Sequence, residues 1–386
     1  MSVITSRVGP ACFSHLRQHG YAVVDGAFGL AAAQGFRSEI QTLHDDGHLY
    51  LNHTHVVEPA PVGSPKGSQP TTELVAKEHI FETEMFLEGV RRAAPRLADV
   101  AETHAPALMR HLDEGFGSAG LGLSHVTVKV QYNRGGGGCF PMHFDTAPRL
   151  DTRKLTAILY LNDGWQHSDD GGQHSEPEGQ GPAKPAKDKG GQLRLYPIPA
   201  PPVDVNPAMD RLVLFSSPEM LHRVLPSKVP RYCLTMWFYA DPAHHSAAPH
   251  TVAPHTAGES CDRAPSANES VGDALAVLLQ PRFRRHLCKL AYADEWAQSI
   301  VESHAKNGAE DSGGSLRLHY VGGVQAVVDK HYTDAGVISK ALTGVLAKEL
   351  ALPSKAHAAD LLNVVVAEIA DGNERNQGVL GGPWFT

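Results

Sequence analysis

Cysteine is scarce and scattered. Cys12, Cys139, Cys233, Cys261 and Cys288 are the only five in 386 residues. No two form a C-x-x-C pair and the number is odd, which argues against a disulfide framework or a zinc ribbon. A reduced, intracellular setting, cytoplasmic or nuclear, is the expectation. Long apolar runs are missing too. No stretch of about 18 apolar residues occurs, so no membrane span is expected. The opening MSVITSRVGPACFSHLRQHG lacks the apolar centre of a secretory signal. Positive charge is not in excess. The 34 Lys and Arg against 42 Asp and Glu leave a net charge of −8, which argues against a general nucleic-acid surface. No internal repeat of fixed period is present. What the chain does have is 42% hydrophobic residues, ample for a core, and 23 histidines. Its length suits one large or two ordinary domains.

The pattern of elements changes along the chain. Residues 10–19 read as a short helix, Gly20–Val24 as a strand, and Leu30–His44 as a helix with Phe36, Ile40 and Leu43 on one face. Breakers crowd 59–70, and His53 and His55 nearby read as exposed loop residues. A helical stretch over 82–114 is expected, broken near Pro95. From Ser124 the texture becomes β. Val126, Val128, Val130 and Tyr132 alternate with polar residues, and Gly135–Gly138 demand a turn. Further strands are predicted at 155–161, 193–196, 212–215, 222–225 and 232–239. Many short strands separated by turns indicate a sandwich or barrel. Between Trp165 and Gly190 lies a polar insertion with almost no apolar residue, whose His167 and His174 read as solvated. Residues 242–265, with His244, His245, His250 and His255 among Ala and Pro, read as a linker. The remainder reads as helical. Ser270 with Asp273 suggests a capping box, and Ser354 a cap on a helix carrying Ala358, Leu361, Leu362, Val365 and Ile369.

One stretch, QYNRGGGGCFPMHFD, carries chemistry. On an extended strand, His143 and Asp145 project to the same face. A second histidine from elsewhere would complete two imidazoles and a carboxylate on one face of a metal, the arrangement of non-haem Fe(II) oxygenases. His222, in PEMLHRVLPS, is placed to do so after several intervening strands. Arg231 opens the strand RYCLTMWFY, and a return turn would bring its guanidinium beside the pocket. That planar, permanently charged fork suits a dicarboxylate cosubstrate.

The segments YNRGGGGCFPMHFD, DTRKLTAILYLNDGW, GGQLRLYP, DRLVLFSS, LHRVLPS and RYCLTMWFY resemble, in order, the catalytic core of the 2-oxoglutarate- and Fe(II)-dependent prolyl 4-hydroxylase superfamily. The nearest look is to the intracellular, hypoxia-sensing type. The resemblance covers about 124–240 and none of the last 140 or so residues, although HGYAVVDGAFG resembles the family's entry segment. It implies a double-stranded β-helix, or jelly roll, in a mainly β chain with flanking helices. It implies His143, Asp145 and His222 as Fe(II) ligands, and Arg231 as the anchor of the distal 2-oxoglutarate carboxylate, with Tyr160 sharing that carboxylate. Thr235 would stand near the metal pocket, and Tyr132 and Arg153 would line the cosubstrate and substrate pocket. Fe(II), 2-oxoglutarate and O2 are the implied cofactors, with ascorbate as a further one.

The expected division is a dioxygenase domain over 1–246, with N-terminal helices in 1–120 and a jelly-roll core over 124–240. A linker at 247–265 and a helical region at 266–386 complete it. The expected function is hydroxylation of an unactivated C–H bond, foremost of a prolyl residue in a protein or peptide. Hydroxylation of a free amino acid or small molecule, a non-catalytic jelly-roll binding module, and a cupin-like metalloenzyme without 2-oxoglutarate are the alternatives. Arg231 and Tyr160 count against the last. Several amphipathic stripes in the helical region could bury one another, so a chain ending near residue 246 is expected to keep turnover of a short peptide. No nucleic-acid or membrane partner is expected, and the oligomeric state is left open.

Overall fold

The computed structural model describes residues 2–58, 71–117, 120–146, 151–165, 189–241, 267–304, 314–372 and 383–385. The breaker-rich 59–70, the whole of the His-rich 242–265 and all of the polar insertion except Lys189, with the histidines of these last two, lie outside the described residues.

The period-two alternation seen from Ser124 onward builds two antiparallel sheets. The larger has the order β1-β9-β6-β11-β4-β3-β2. Its strands are β1 (Tyr21–Asp25), β2 (Tyr50–Glu58), β3 (Thr71–Glu84), β4 (Leu123–Asn133), β6 (Arg153–Tyr160), β9 (Arg211–Ser216) and β11 (Arg231–Ala240). The smaller has the order β5-β10-β7-β8, from β5 (Gly138–His143), β7 (Leu193–Tyr196), β8 (Val203–Val205) and β10 (Leu221–Ser227). One face of the larger sheet carries Tyr232, Leu234, Met236 and Phe238 of β11. They share a core with Leu16 of α2 (Pro10–His19), with Ile40 and Leu43 of α3 (Leu30–Asp45), and with Leu108 and Leu112 of α6 (Ala105–Gly115). Its other face meets the smaller sheet. There Ile158, Tyr160, Val213, Phe215 and Cys233 pack on Leu193, Leu195 and Val224. This is the mainly β jelly roll with flanking helices that the resemblance implies.

Several local expectations change. The segment read as loop and helix includes a hairpin. His53 is exposed but lies on β2, and 82–84 end β3. Helix resumes only at Glu88, and the chain does break at Pro95, between Glu88–Ala93 and Pro95–Asp99. Ser270 lies inside the helix α7 (Ala267–Leu278) and not at its start. Ser354 does cap, accepting from the His357 N–H at 3.1 Å, at the start of α11 (Lys355–Ala370). No helix among the described residues is long and apolar enough to cross a membrane.

The C-terminal helices bury their stripes against one another and also against the outer face of the smaller sheet. Leu275 and Leu278 of α7, Leu287 of α8 (Pro281–Ala291) and Leu361 and Leu362 of α11 share one cluster with Met142, Tyr196 and Leu221. Ser299, on α9 (Ala293–Ser303), accepts the Met142 N–H at 3.0 Å. Glu295 of the same helix receives the Tyr196 hydroxyl at 2.6 Å and Arg194 at 3.1 Å. Arg223, buried on β10, reaches Glu302 at 2.5 Å. The chain's last turn adds a clasp, for Trp384 donates to the Gln18 carbonyl at 3.1 Å and lies against Gly20. Gly20 has φ 77°, and a Cβ there would stand 2.3 Å from the indole.

Because helices and smaller sheet share a core, a chain ending near residue 246 leaves Met142, Tyr196 and Leu221 uncovered. Such a chain is expected to aggregate or to unfold several degrees below the full chain. Size-exclusion chromatography and thermal unfolding check this. A soluble, equally stable truncation would instead support the separate helical unit expected from the sequence.

Candidate metal centre

His143 ends β5 and His222 is the second residue of β10. The two are direct cross-strand partners, so their side chains leave the smaller sheet on the same inward face. Their ring centroids are 4.3 Å apart. Asp145 lies two residues past His143, beyond the end of the strand. Its Oδ1 is 3.5 Å from Nε2 of each histidine. These three side chains are the one cluster of metal-ligating type found among the described residues, with ligand atoms all within 4.8 Å of one another.

Neighbours fix how each donor is presented. His143 Nδ1 is 2.8 Å from the Pro141 carbonyl and His222 Nδ1 is 3.1 Å from the Met220 carbonyl. A carbonyl can only accept, so the proton belongs on Nδ1 and the Nε2 lone pairs turn inward. Oδ2 of Asp145 accepts from the Thr156 hydroxyl at 2.5 Å and from the Trp237 indole at 3.2 Å. That leaves Oδ1 for the imidazoles. Ser217 lies 2.7 Å from the Thr156 hydroxyl. Burial would raise the Asp145 carboxyl, but His222 and His143 beside it hold it well below the usual carboxylate range. Burial and the neighbouring His222 push His143 down, toward the neutral form that donates a lone pair. His143 is also the open side of the group, its side chain 37% exposed against 4% for His222.

Arg153 comes to the same place. It donates to the Asp145 carbonyl at 3.0 Å and to the Tyr239 hydroxyl at 3.1 Å, and lies 4.6 Å from the Trp237 ring centroid. Arg231 starts β11 on the inward face and is 3% exposed. Its Nε donates to the Gly191 carbonyl at 3.0 Å, and its guanidinium lies 4.8 Å from the Tyr160 ring centroid. Among the described residues no carboxylate forms an ion pair with it. The Tyr160 hydroxyl is buried and accepts or donates no hydrogen bond there, and burial drives its pKa up. Cross-strand pairing sets Cys233 opposite Tyr160, Thr235 opposite Ile158, and Trp237 opposite Thr156. One inward strip of β6 and β11 therefore runs from the Arg231–Tyr160 pair, past buried Thr235, to the groups holding Asp145.

Tyr132 is the correction. It projects from the other face of β4, stacked 4.8 Å from Tyr232 and edge-on to His44 of α3 at 4.6 Å. It belongs to the helix-facing core and lines no cosubstrate pocket. Its neighbours Gln131 and Asn133 take the inward positions, since side chains alternate along a strand. Thr156, Trp237 and Ser217 were missed by sequence reasoning. The signal was available for two of them, because Thr156 and Trp237 share the inward parity of Tyr160 and Arg231.

Two imidazoles and a carboxylate on a jelly roll match the donor arrangement used by non-haem Fe(II) oxygenases. The model of the 2OG-Fe(II) oxygenase superfamily matches residues 129–239, which contain all three donors. Human Egl nine homolog 1 is 26% identical over 226 residues, 58% of this chain and 45% of its own length. The prolyl hydroxylase EGLN3 of Mus musculus is 35% identical over 107 residues, 27% of this chain and 36% of its own. The chain thus spans less than half the length of these two relatives. A prolyl 4-hydroxylase structure from Phytophthora capsici shares the fold with a TM-score of 0.58 at 24% identity, covering 94% of each chain.

Thr156→Val keeps the side-chain volume and removes the hydroxyl that orients Asp145. It is expected to weaken Co(II) binding about 10- to 100-fold while the fold persists. Calorimetric titration with far-UV circular dichroism as the control checks it; unchanged affinity would mean that Trp237 alone orients the carboxylate.

Proposed function

We propose that this chain is a 2-oxoglutarate- and Fe(II)-dependent dioxygenase that hydroxylates a prolyl residue in a protein or peptide. One observation carries the reading. An inward-turned His143–Asp145–His222 donor set shares a strip with a buried guanidinium that, among the described residues, has no carboxylate, and a buried tyrosine hydroxyl that has no hydrogen-bond partner among them. A buried charge and a buried hydroxyl left in this way cost free energy unless a ligand completes them. A dicarboxylate that reaches the metal with one end and Arg231 with the other does so.

His143, Asp145 and His222 would hold Fe(II), and the donor types fit that ion. Bound Fe(II), with 2-oxoglutarate and O2, supplies the oxidising power for an unactivated C–H bond. The chain's own groups do the rest. Arg231 and the Tyr160 hydroxyl bind and orient the distal carboxylate, and Thr235 borders its path. Asp145 offsets the metal's charge, with Thr156 and Trp237 fixing its angle. Ile158, Val213, Phe215 and Val224 keep water from the inner wall. Arg153, half-buried beside the open His143 edge, borders the place where a substrate chain would lie. The prolyl substrate is supported by the similarity to the prolyl hydroxylase EGLN3 of Mus musculus. A site in the cell interior and a role for ascorbate belong to the same reading.

The test of substrate class is mass spectrometry of peptides from a cell lysate treated with the chain, Fe(II) and 2-oxoglutarate. A gain of one oxygen on proline is expected; oxygen gained only by free amino acids or small molecules would support that alternative instead. Arg231→Ala is expected to raise the 2-oxoglutarate KM by at least about tenfold, since a charge-assisted hydrogen bond contributes about 1.5–3 kcal/mol. Arg231→Lys should restore part, because an ammonium is a point charge without the fork. An unchanged 2-oxoglutarate KM in Arg231→Ala would assign the anchor to another base.

A further inference from the structure

Helix α8 reaches the rim of the metal centre through one side chain. The Arg285 Nη1 donates to the Thr146 carbonyl at 2.6 Å and also to the Pro218 carbonyl. Its guanidinium carbon lies 4.2 Å from the centroid of the Phe144 ring. Each contact flanks a donor. Phe144 stands between His143 and Asp145, and Thr146 follows Asp145. Pro218 belongs to the turn from β9 to β10, two residues before Met220, whose carbonyl fixes His222 Nδ1. A single nitrogen therefore ties the loop that presents Asp145 to the turn that presents His222.

The anchor behind that nitrogen is firm. Leu287 and Cys288 of the same helix are buried in the cluster shared with the smaller sheet. Arg284, next to Arg285, lies 3.6 Å from Glu219 in the same turn. On the other side the turn is held by Ser217 against Thr156, which in turn orients Asp145. Asp145 and Thr146 lie beyond the end of β5. Arg285 supplies a fixed point there, from a region in which the sequence pattern suggested no part of the site.

We propose that Arg285 is a positioning residue for the metal centre, setting the separation between the Asp145 loop and the His222 turn. The C-terminal helical region is then a working part of the donor set. This rests on the reading of His143, Asp145 and His222 as metal donors. A helix tether would affect stability alone, whereas a positioning residue affects how the folded chain holds a metal. Because both hydrogen bonds leave one nitrogen, an ammonium at that point can make them as well, though without the flat face that stacks on Phe144.

The experiment is an anaerobic titration of the full chain with Co(II), read by calorimetry and by the visible absorption of the bound ion, with thermal unfolding of the metal-free chain alongside. Arg285→Met keeps the apolar stem over Phe144 and removes the donors. It is expected to bind Co(II) about 10- to 100-fold more weakly than the unaltered chain and with a changed spectrum, while Arg285→Lys recovers a large part of that loss. Arg285→Ala is the second variant, with the same expectation. Unaltered affinity and spectrum in whichever of the Met and Ala variants folds would overturn the proposal. So would an equal loss in Arg285→Lys and Arg285→Met accompanied by an equal fall in unfolding temperature, the mark of a tether. His143→Ala separates the two layers of inference. If it binds Co(II) as tightly as the unaltered chain, the donor assignment itself fails, whatever Arg285 does.

Discussion

The pairing of His143 with His222 across two antiparallel strands is the constraint on which the site depends. Register alone brings two imidazoles to one face, and a backbone carbonyl behind each ring turns its Nε2 inward. Asp145 then presents one oxygen to both rings and gives the other to Thr156 and Trp237. The result is a carboxylate with a side chain only 10% exposed, at the focus of two lone pairs. A buried anion facing two lone-pair donors is poorly satisfied by the protein alone, and a divalent cation satisfies all three together.

The larger sheet adds the second half of the arrangement. Because side chains on β6 and β11 alternate, the face turned from the helical core holds an ordered strip from Arg231 and Tyr160 to Thr156 and Trp237. The helical layer on one side and the C-terminal helices on the other make both sheets internal. That rigid setting keeps a buried guanidinium and an unpaired hydroxyl in place without collapse around them. Glycine matters at one point of this strip. Gly191 has φ 77°, and a Cβ there would stand 2.8 Å from Ser227 Oγ and 3.4 Å from the Arg231 side chain that its carbonyl holds.

Much of this was legible in the sequence, and for local reasons. Period-two alternation identified the main strands of the core, the H-x-D spacing keeps Asp145 beside His143 although the strand ends at His143, and Arg231 does stand at the head of a strand. Tyr132 failed because a resemblance fixes a segment more firmly than a parity. A displacement of one residue moves a side chain to the opposite face of a sheet, here from the pocket to a stack on Tyr232. The β2–β3 hairpin was hidden by breakers in its connection. The docking of the helices was hidden for a different reason. An amphipathic stripe states that it must be covered and does not state by what, so Leu361 and Leu362 could not point to Met142 or Tyr196. Arg285 is silent in sequence on the same grounds, since its partners are backbone carbonyls that any residue supplies.

The central claim is that one chain holds one Fe(II) and chelates 2-oxoglutarate between that ion and Arg231. It is tested most directly by anaerobic addition of Fe(II) and then 2-oxoglutarate, followed through the visible charge-transfer absorption of a 2-oxo acid chelated to ferrous iron. The account predicts that the band saturates at one equivalent of Fe(II) per chain, vanishes in Asp145→Ala, and needs far more 2-oxoglutarate in Arg231→Ala. No band in the unaltered chain, or the same band at the same concentrations in Asp145→Ala, would contradict it.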